Sequence, residues 1–76
     1  MQLYEYEGKC IRLTSKSGNV FVGKVGDYIW PEDNEPEVEG IVLDNCYCVT
    51  RKQKYDNPVE FDAPEIVSIE IIEKAS

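Results

Sequence analysis

The stretch from Tyr6 to Val25, YEGKCIRLTSKSGNVFVGKV, decides the fold of this chain. In its first half, Ile11 and Leu13 alternate with more polar residues, which is the two-residue period of a half-buried β-strand. The segment Ser17-Gly18-Asn19 follows, and glycine and asparagine both tolerate the positive φ values that tight turns require. The stretch therefore predicts two antiparallel strands joined by a short turn, the first of them at Lys9–Thr14.

The second predicted strand, Val20–Tyr28, contains two glycines, Gly23 and Gly26. Glycine inside a strand is typical of a bulge or a sharp bend. A long strand that bends in this way can serve both faces of a small barrel. We therefore expect the sheet to be strongly curved at this strand.

The remainder of the chain continues the β pattern without a long helix. Further strands are predicted at Gly40–Leu43, Val59–Phe61 and Ile66–Ile72. Residues 1–7 fit either one helical turn or an edge strand, and residues 45–57 fit either a strand or a loop. Residues 62–65 form a tight turn with the pattern of a 3₁₀ helix. Because closing the sheet hides the edges of so short a chain, residues 1–76 are predicted to form one small all-β antiparallel barrel.

Length and charge limit the function of such a domain. The chain has 76 residues, which is enough for one small core whose stability oligomerisation would support. The formal net charge is −7, from 15 acidic against 8 basic side chains. An acidic surface repels phosphate backbones, so this balance argues against non-specific nucleic-acid binding.

The cysteine content indicates neither a disulfide scaffold nor a metal site. Three cysteines and no histidine are present, and a structural zinc ion normally takes four such ligands. Cys46 and Cys48 lie two positions apart, which suits apolar packing on one face of a strand. We expect no metal and no cofactor. With no apolar run long enough for a membrane span and no signal-peptide pattern before Gly8, we predict a cytoplasmic protein that does not bind membranes.

Four segments together resemble the Sm-like (LSm) family. Gly8–Leu13 is similar to the family's first strand, Gly18–Val25 to its turn and glycine-containing second strand, Gly40–Asp44 to its third strand and Val67–Ile72 to its closing strand. The resemblance implies a strongly bent five-stranded antiparallel barrel related to SH3-like barrels. It also implies a homo-oligomeric ring of six or seven subunits that binds single-stranded RNA at its pore.

The same resemblance suggests where RNA would bind. The family uses an Asp and an Asn in the loop after the second strand, where this chain has Asp27 and Asn34. Before the last strand, where the family often carries Arg-Gly, this chain has Asp62-Ala63-Pro64-Glu65. The basic segment Arg51–Tyr55 combines cations with an aromatic ring that could stack on a base. The predicted RNA-binding residues are Asp27, Asn34, Arg51, Lys52, Lys54 and Tyr55.

The segment Trp30–Glu39 offers a different kind of site. It contains two prolines, and five of its last eight residues are acidic, so it is predicted to be an exposed loop. Such a loop is either merely solvated or an acidic docking surface, and Trp30 with Tyr28 either anchors an interface or caps the core. The predicted partner-binding residues are Trp30, Glu32, Asp33, Glu35 and Glu37.

Catalysis is not expected, because the sequence has no histidine, no nucleophile elbow and no phosphate-binding loop. Two functions remain. The first is a non-catalytic Sm-like module that binds single-stranded RNA weakly in an oligomeric ring. The second is an acidic adaptor that binds an unidentified protein and no RNA. The turn before the last strand discriminates between them, because RNA binders would carry cations where this chain carries Asp62 and Glu65.

Overall fold

The computed structural model describes residues 2–72 and contains an all-β fold. Six antiparallel strands are present: β1 Cys10–Ser15, β2 Val20–Ile29, β3 Gly40–Cys48, β4 Gln53–Lys54, β5 Val59–Asp62 and β6 Ile66–Ile71. Three single-turn 3₁₀ helices lie at Leu3–Tyr6, Pro31–Asp33 and Ala63–Glu65. The predicted class, antiparallel all-β, is therefore confirmed. Among the described residues, no helix is both long and apolar enough to cross a membrane.

The strands form one sheet in the order β4-β3-β2-β1-β6, and β5 also pairs with β3. One edge of β3 pairs with β2, while its other edge is divided: Gly40–Leu43 pairs with β5, and Tyr47 and Cys48 pair with β4. The N–H of Tyr55 still donates to the carbonyl oxygen of Cys46 on β3. The chain then leaves β3's edge at residues 56–58, where Pro58 has no N–H to donate to a ladder. This interruption explains why six strands are present rather than the five that we predicted.

The sheet is open, which corrects the prediction of a closed barrel. Within residues 2–72, no ladder joins β5 to β6, although only one 3₁₀ turn separates them. The turn Ala63–Glu65 directs the chain away from β5, and β6 pairs instead with β1. As a result, β5 and β6 each keep one edge without a strand partner in the described part of the chain.

The bends predicted at the two glycines of β2 are present as irregularities in its pairing with β3. One register shift lies opposite Gly23, where the additional residue is Asn45 on β3, with a φ of 52°. At the other shift the additional residue is Gly26 itself. A Cβ atom on Gly23 would lie 2.9 Å from the carbonyl oxygen of Asp44, so the two strands approach too closely there for a side chain. The bend in the sheet therefore depends on a glycine at this position.

The core is one cluster of buried side chains contributed by five of the strands and the first 3₁₀ helix. Its buried side chains are Leu3, Ile11, Leu13, Phe21, Val25, Ile41, Leu43, Cys46, Cys48, Phe61 and Ile66. The alternation predicted for β1 is confirmed, since Ile11 and Leu13 are buried and Arg12 is exposed. Leu3 from the first 3₁₀ helix is fully buried and contributes to the core from the amino-terminal segment.

The side chains of β6 do not alternate strictly between buried and exposed. The register between β1 and β6 shifts beside Val67, so Ile66 and Ile69 both reach the core although they lie three positions apart. Val67 and Ile71 remain exposed, by 60% and 50% of their surfaces. The free edge strand β6 thus presents apolar side chains to solvent, which is a feature of strands that pair with another chain.

Candidate functional site

The loop between β2 and β3, residues 30–39, carries the five predicted partner-binding residues. It begins with Trp30, followed by the 3₁₀ turn Pro31–Asp33, in which proline occupies a position that needs no N–H donor. The loop's exposed carboxylates belong to Glu32, Asp33, Glu35 and Glu37. Trp30 is 55% exposed. The prediction of an exposed, acidic loop is confirmed.

Asn34 holds this loop against the turn that precedes β6. Its Nδ2 donates to the carbonyl oxygen of Val38 and to Oδ1 of Asp62, each at 2.9 Å. Its Oδ1 accepts a hydrogen bond from the backbone N–H of Glu35, also at 2.9 Å. The backbone N–H of Ala63 donates to the carbonyl oxygen of Glu39 at 2.9 Å and adds a second link. The amide of Asn34 is thus used within the protein, and it joins two segments that are distant in the sequence.

The turn that Asn34 contacts is itself rich in carboxylates. The pKa of Glu60 is raised, first by its hydrogen bond to Asp62, then by partial burial and by the charges of Asp62 and Glu65, while its hydrogen bond to Asn34 lowers it. The raised pKa of Glu60 reflects the concentration of carboxylates at this site. We use "acidic surface" for the exposed carboxylates of the loop together with Glu60, Asp62 and Glu65.

Three aromatic rings form a cluster beside the acidic surface. The ring of Tyr28 is the central one: its centroid lies 6.1 Å from that of Tyr4 and 4.9 Å from that of Trp30. Both outer rings are nearly perpendicular to it, at 83° and 88°. Such edge-to-face contacts are a favourable arrangement for aromatic pairs. We use "aromatic cluster" for Tyr4, Tyr28 and Trp30.

A carboxylate fixes the aromatic cluster to the sheet. Oε1 of Glu39 accepts hydrogen bonds from the hydroxyl of Tyr28 at 3.0 Å and from the backbone N–H of Leu3 at 2.9 Å. Partial burial raises the pKa of the Tyr28 phenol, and so do its hydrogen bond to Glu39 and the negative charges of Glu39 and Glu32. Two carboxylates therefore act electrostatically on the cluster, and aromatic faces next to carboxylates form an environment that favours cations.

The predicted RNA-binding residues are divided between the two ends of β3. Asp27 lies opposite Val42, and its Oδ1 accepts a hydrogen bond from the N–H of Tyr28 at 2.9 Å. Lys54 lies opposite Tyr47, five positions further along β3. At the rise of a strand this separation along β3 is about 16 Å. Asp27 and Asn34 therefore belong to the acidic end of the sheet, and the cations belong to the other end.

Within the basic segment Arg51–Tyr55, the cations are exposed and the tyrosine is half-buried. Arg51 and Lys52 form the exposed turn between β3 and β4, and Lys54 is exposed on β4. Tyr55 is half-buried against the core, with its ring centroid 6.3 Å from that of Phe21. Packing of this kind gives Tyr55 a structural role and leaves the three cations without a neighbouring exposed ring from their own segment.

Sequence reasoning missed Tyr4 and Glu39. Tyr4 meets Tyr28 across 24 positions of sequence, a contact that no local pattern indicates. Glu39 was one acid among five in the loop, and its two hydrogen bonds depend on where the amino-terminal 3₁₀ helix lies. The tyrosines of residues 1–7 were the one available signal that this segment takes part in a surface.

The cysteines and acids do not form a metal centre in residues 2–72, where no group of three or more such side chains is arranged to hold an ion. Cys46 and Cys48 are fully buried thiols. Burial, with a smaller contribution from Cys48, raises the pKa of Cys46 to about 11. The protonated Cys46 thiol is a weak nucleophile. Because both residues are fully buried in the core cluster, they act as core side chains.

Comparison with known proteins does not assign this chain to a family. No protein-family model matches the sequence, and no curated protein matches it significantly. The function must therefore be inferred from the acidic surface, the aromatic cluster and the open edges of the sheet.

Proposed function

We propose that this chain is a non-catalytic adaptor that binds a protein partner through its acidic surface. The observation that carries the proposal is the hydrogen bond between Asn34 and Asp62, because it joins two carboxylate-rich segments into one surface. The two segments are those from which the Sm-like resemblance would draw its RNA contacts. In this chain the first segment is an acidic loop, and the second carries Asp62 and Glu65 where the resemblance implies cations.

Electrostatics favours a protein partner over nucleic acid at this surface. Each phosphate brought to it would meet carboxylates, in a protein whose net charge is already −7. The same charges attract a basic protein segment and accelerate its association. The adaptor is therefore the function that the acidic surface supports best.

We propose further that the fold is Sm-like and that copies of the chain associate through the edges of β5 and β6. Two features support this. Both strands have an open edge within the described residues, and β6 exposes Val67 and Ile71 beside its edge. Pairing such edges between copies would cover backbone groups and apolar side chains together.

A second candidate function is weak binding of single-stranded RNA by such an oligomer. It is supported by the exposed cations Arg51, Lys52 and Lys54, which lie away from the acidic surface. A salt titration with a labelled oligouridine tests it, since phosphate contacts weaken steeply as salt rises. Absence of binding at low salt would exclude this function.

The adaptor proposal is tested by neutralising the loop and comparing captured proteins. The loop variant carries Glu32→Gln, Glu35→Gln and Glu37→Gln. The control variant makes the same change in charge on exposed residues outside the acidic surface and carries Glu7→Gln, Asp56→Asn and Glu70→Gln. Each protein is immobilised in turn, and proteins bound from a cell extract are quantified by mass spectrometry.

We expect a set of proteins that binds the unaltered chain and the control variant and is lost from the loop variant. Circular dichroism establishes that all three proteins are folded. If the loop variant and the unaltered chain capture the same proteins in the same amounts, the acidic surface is not the binding site and the proposal is wrong.

A further inference from the structure

The aromatic cluster exposes more ring surface than a capping role requires. Tyr28 packs partly against the core, which accounts for the central ring. The two outer rings are different: Tyr4 is 49% exposed, and Trp30, noted above, is exposed to a similar extent. Exposed aromatic side chains that are held in fixed orientation are typical of the central contacts of protein interfaces.

The rings are held in place before any partner arrives. Tyr28 is fixed at both ends, by edge-to-face contacts with Tyr4 and Trp30 and by its hydrogen bond to Glu39. Glu39 is in turn fixed by the backbone N–H of Leu3. A preorganised surface loses little conformational entropy on binding, so even a small ligand can bind with measurable affinity.

The charge next to the rings selects the sign of the ligand. Glu39 lies within hydrogen-bonding distance of the Tyr28 hydroxyl, and Glu32 follows Trp30 by two positions on the exposed 3₁₀ turn. The face of an aromatic ring attracts cations because of its quadrupole, and a neighbouring carboxylate strengthens the attraction. An anionic or neutral ligand would gain neither contribution.

We infer that the aromatic cluster, with Glu32 and Glu39, is the receptor for an arginine side chain of the protein partner. The inference rests on the proposed function and specifies what the partner must carry. Arginine fits better than lysine because its planar guanidinium stacks on a ring while its N–H groups donate to carboxylates in the same plane. The acidic surface would then attract further basic residues on either side of that arginine.

The test uses the only tryptophan of the chain as its reporter. Trp30 gives a single indole N–H resonance, so one signal in a ¹H–¹⁵N spectrum reports on the cluster. The probe is a blocked glycyl-arginyl-glycine tripeptide. The matched control is the same tripeptide with citrulline, which keeps the planar shape of arginine but has no charge.

We expect the arginine tripeptide to shift the indole signal with a midpoint in the millimolar range, and citrulline to bind at least about fivefold more weakly. Tyr4→Leu and Glu32→Gln should each weaken binding of the arginine tripeptide by about two- to fivefold. Tyr47→Leu removes an exposed ring from β3, outside the cluster, and should leave binding unchanged.

Three results would overturn the inference: equal shifts with arginine and citrulline, no shift up to about 20 mM arginine tripeptide, or equal effects of Tyr4→Leu and Tyr47→Leu. Failure here is distinct from failure of the adaptor proposal. If the tripeptide does not bind but the captured proteins still depend on the loop carboxylates, the adaptor stands and the arginine receptor does not. If capture does not depend on the loop, the adaptor itself fails.

Discussion

Replacing Gly23 with alanine is expected to destabilise the protein more than the same replacement at Gly26. At Gly23 the new Cβ would lie 2.9 Å from the carbonyl oxygen of Asp44 and 3.3 Å from Cβ of Leu43. Those atoms belong to β3, which β2 and β5 hold from both sides at Leu43. Since Leu43 is fully buried, neither obstacle can move without displacing the strand or the core.

At Gly26 the obstacle is of another kind. A new Cβ there would overlap the carboxylate of Asp44, and the three nearest atoms all belong to that one side chain. Asp44 is only half-buried, so its carboxylate can rotate towards solvent. Although the overlap is more severe at Gly26 than at Gly23, its relief requires one side-chain rotation and no movement of the backbone.

The magnitudes follow from these two cases. Overpacking against a fixed strand costs about 1–3 kcal/mol, and alanine recovers about 0.4–1 kcal/mol by restricting the unfolded chain. Gly23→Ala should therefore lower the free energy of unfolding by about 1–2 kcal/mol and Tm by roughly 5–15 °C. A rotamer change costs about 0.5–1.5 kcal/mol, which the same recovery nearly offsets, so Gly26→Ala should change stability by less than about 1 kcal/mol.

Urea unfolding followed by far-ultraviolet circular dichroism measures both variants, at one protomer concentration so that assembly contributes equally. Gly26→Ala is the matched control, because it makes the same chemical change three positions away on the same strand. If Gly26→Ala is destabilised as much as Gly23→Ala, or more, the distinction between a fixed carbonyl and a rotatable carboxylate is wrong.

Three further predictions concern other parts of the chain. The pKa of Glu60 is raised mainly by its hydrogen bond to Asp62, so the folded state binds this proton more tightly than the unfolded chain does. The stability that Glu60 contributes to the fold is therefore present at low pH and is lost as pH rises through its raised pKa. In thermal unfolding between pH 7 and about pH 4, the Tm of Glu60→Gln should depend less on pH than the Tm of the unaltered chain. If the difference in Tm between the two proteins is the same at every pH in this range, the raised pKa of Glu60 is contradicted. Cys46 and Cys48 are fully buried and should resist iodoacetamide at neutral pH until urea unfolds the protein, as mass spectrometry would show; rapid alkylation of both in the native state would disprove their burial. Val67→Lys, on the open edge of β6, should reduce the solution mass in light scattering to that of a smaller species, and the unaltered chain running as a monomer would rule out assembly through this edge.

The parts of the fold that the sequence predicts are those with local signals. The hairpin at Ser17-Gly18-Asn19 is marked by turn residues, and Gly18 has the positive φ of 89° that its position requires. The bulges follow from glycines inside a strand, and the 3₁₀ turn Ala63–Glu65 follows from a proline between two strand patterns. In each case the residues that determine the structure are neighbours in the chain.

The features that escaped prediction depend on contacts between distant residues. Whether the edge of β3 pairs with one strand or two depends on whether residues 56–58 leave the sheet, and no local pattern indicates this. The register shift at Val67 is set by pairing with β1, and no local pattern indicates that both Ile66 and Ile69 pack against the core. The same holds for the candidate site. The acidic loop could be predicted because its composition is a local property of the sequence. The contacts of Asn34 with Asp62 and of Tyr4 with Tyr28 could not be predicted, because they join residues that are distant in the sequence.

The pairing of β1 with β6 has a consequence for the order in which the chain folds. Arg12 and Glu70 form an ion pair at 3.2 Å across 58 positions of sequence, whereas β1, β2 and β3 pair in succession along the chain. Forming the distant pair last avoids an early loss of loop-closure entropy. During synthesis, therefore, the outer edge of β1 stays open until β6 has left the ribosome. A chain that stops before Ile66 would keep that edge open permanently, and such fragments are the species in which we expect aggregation to begin.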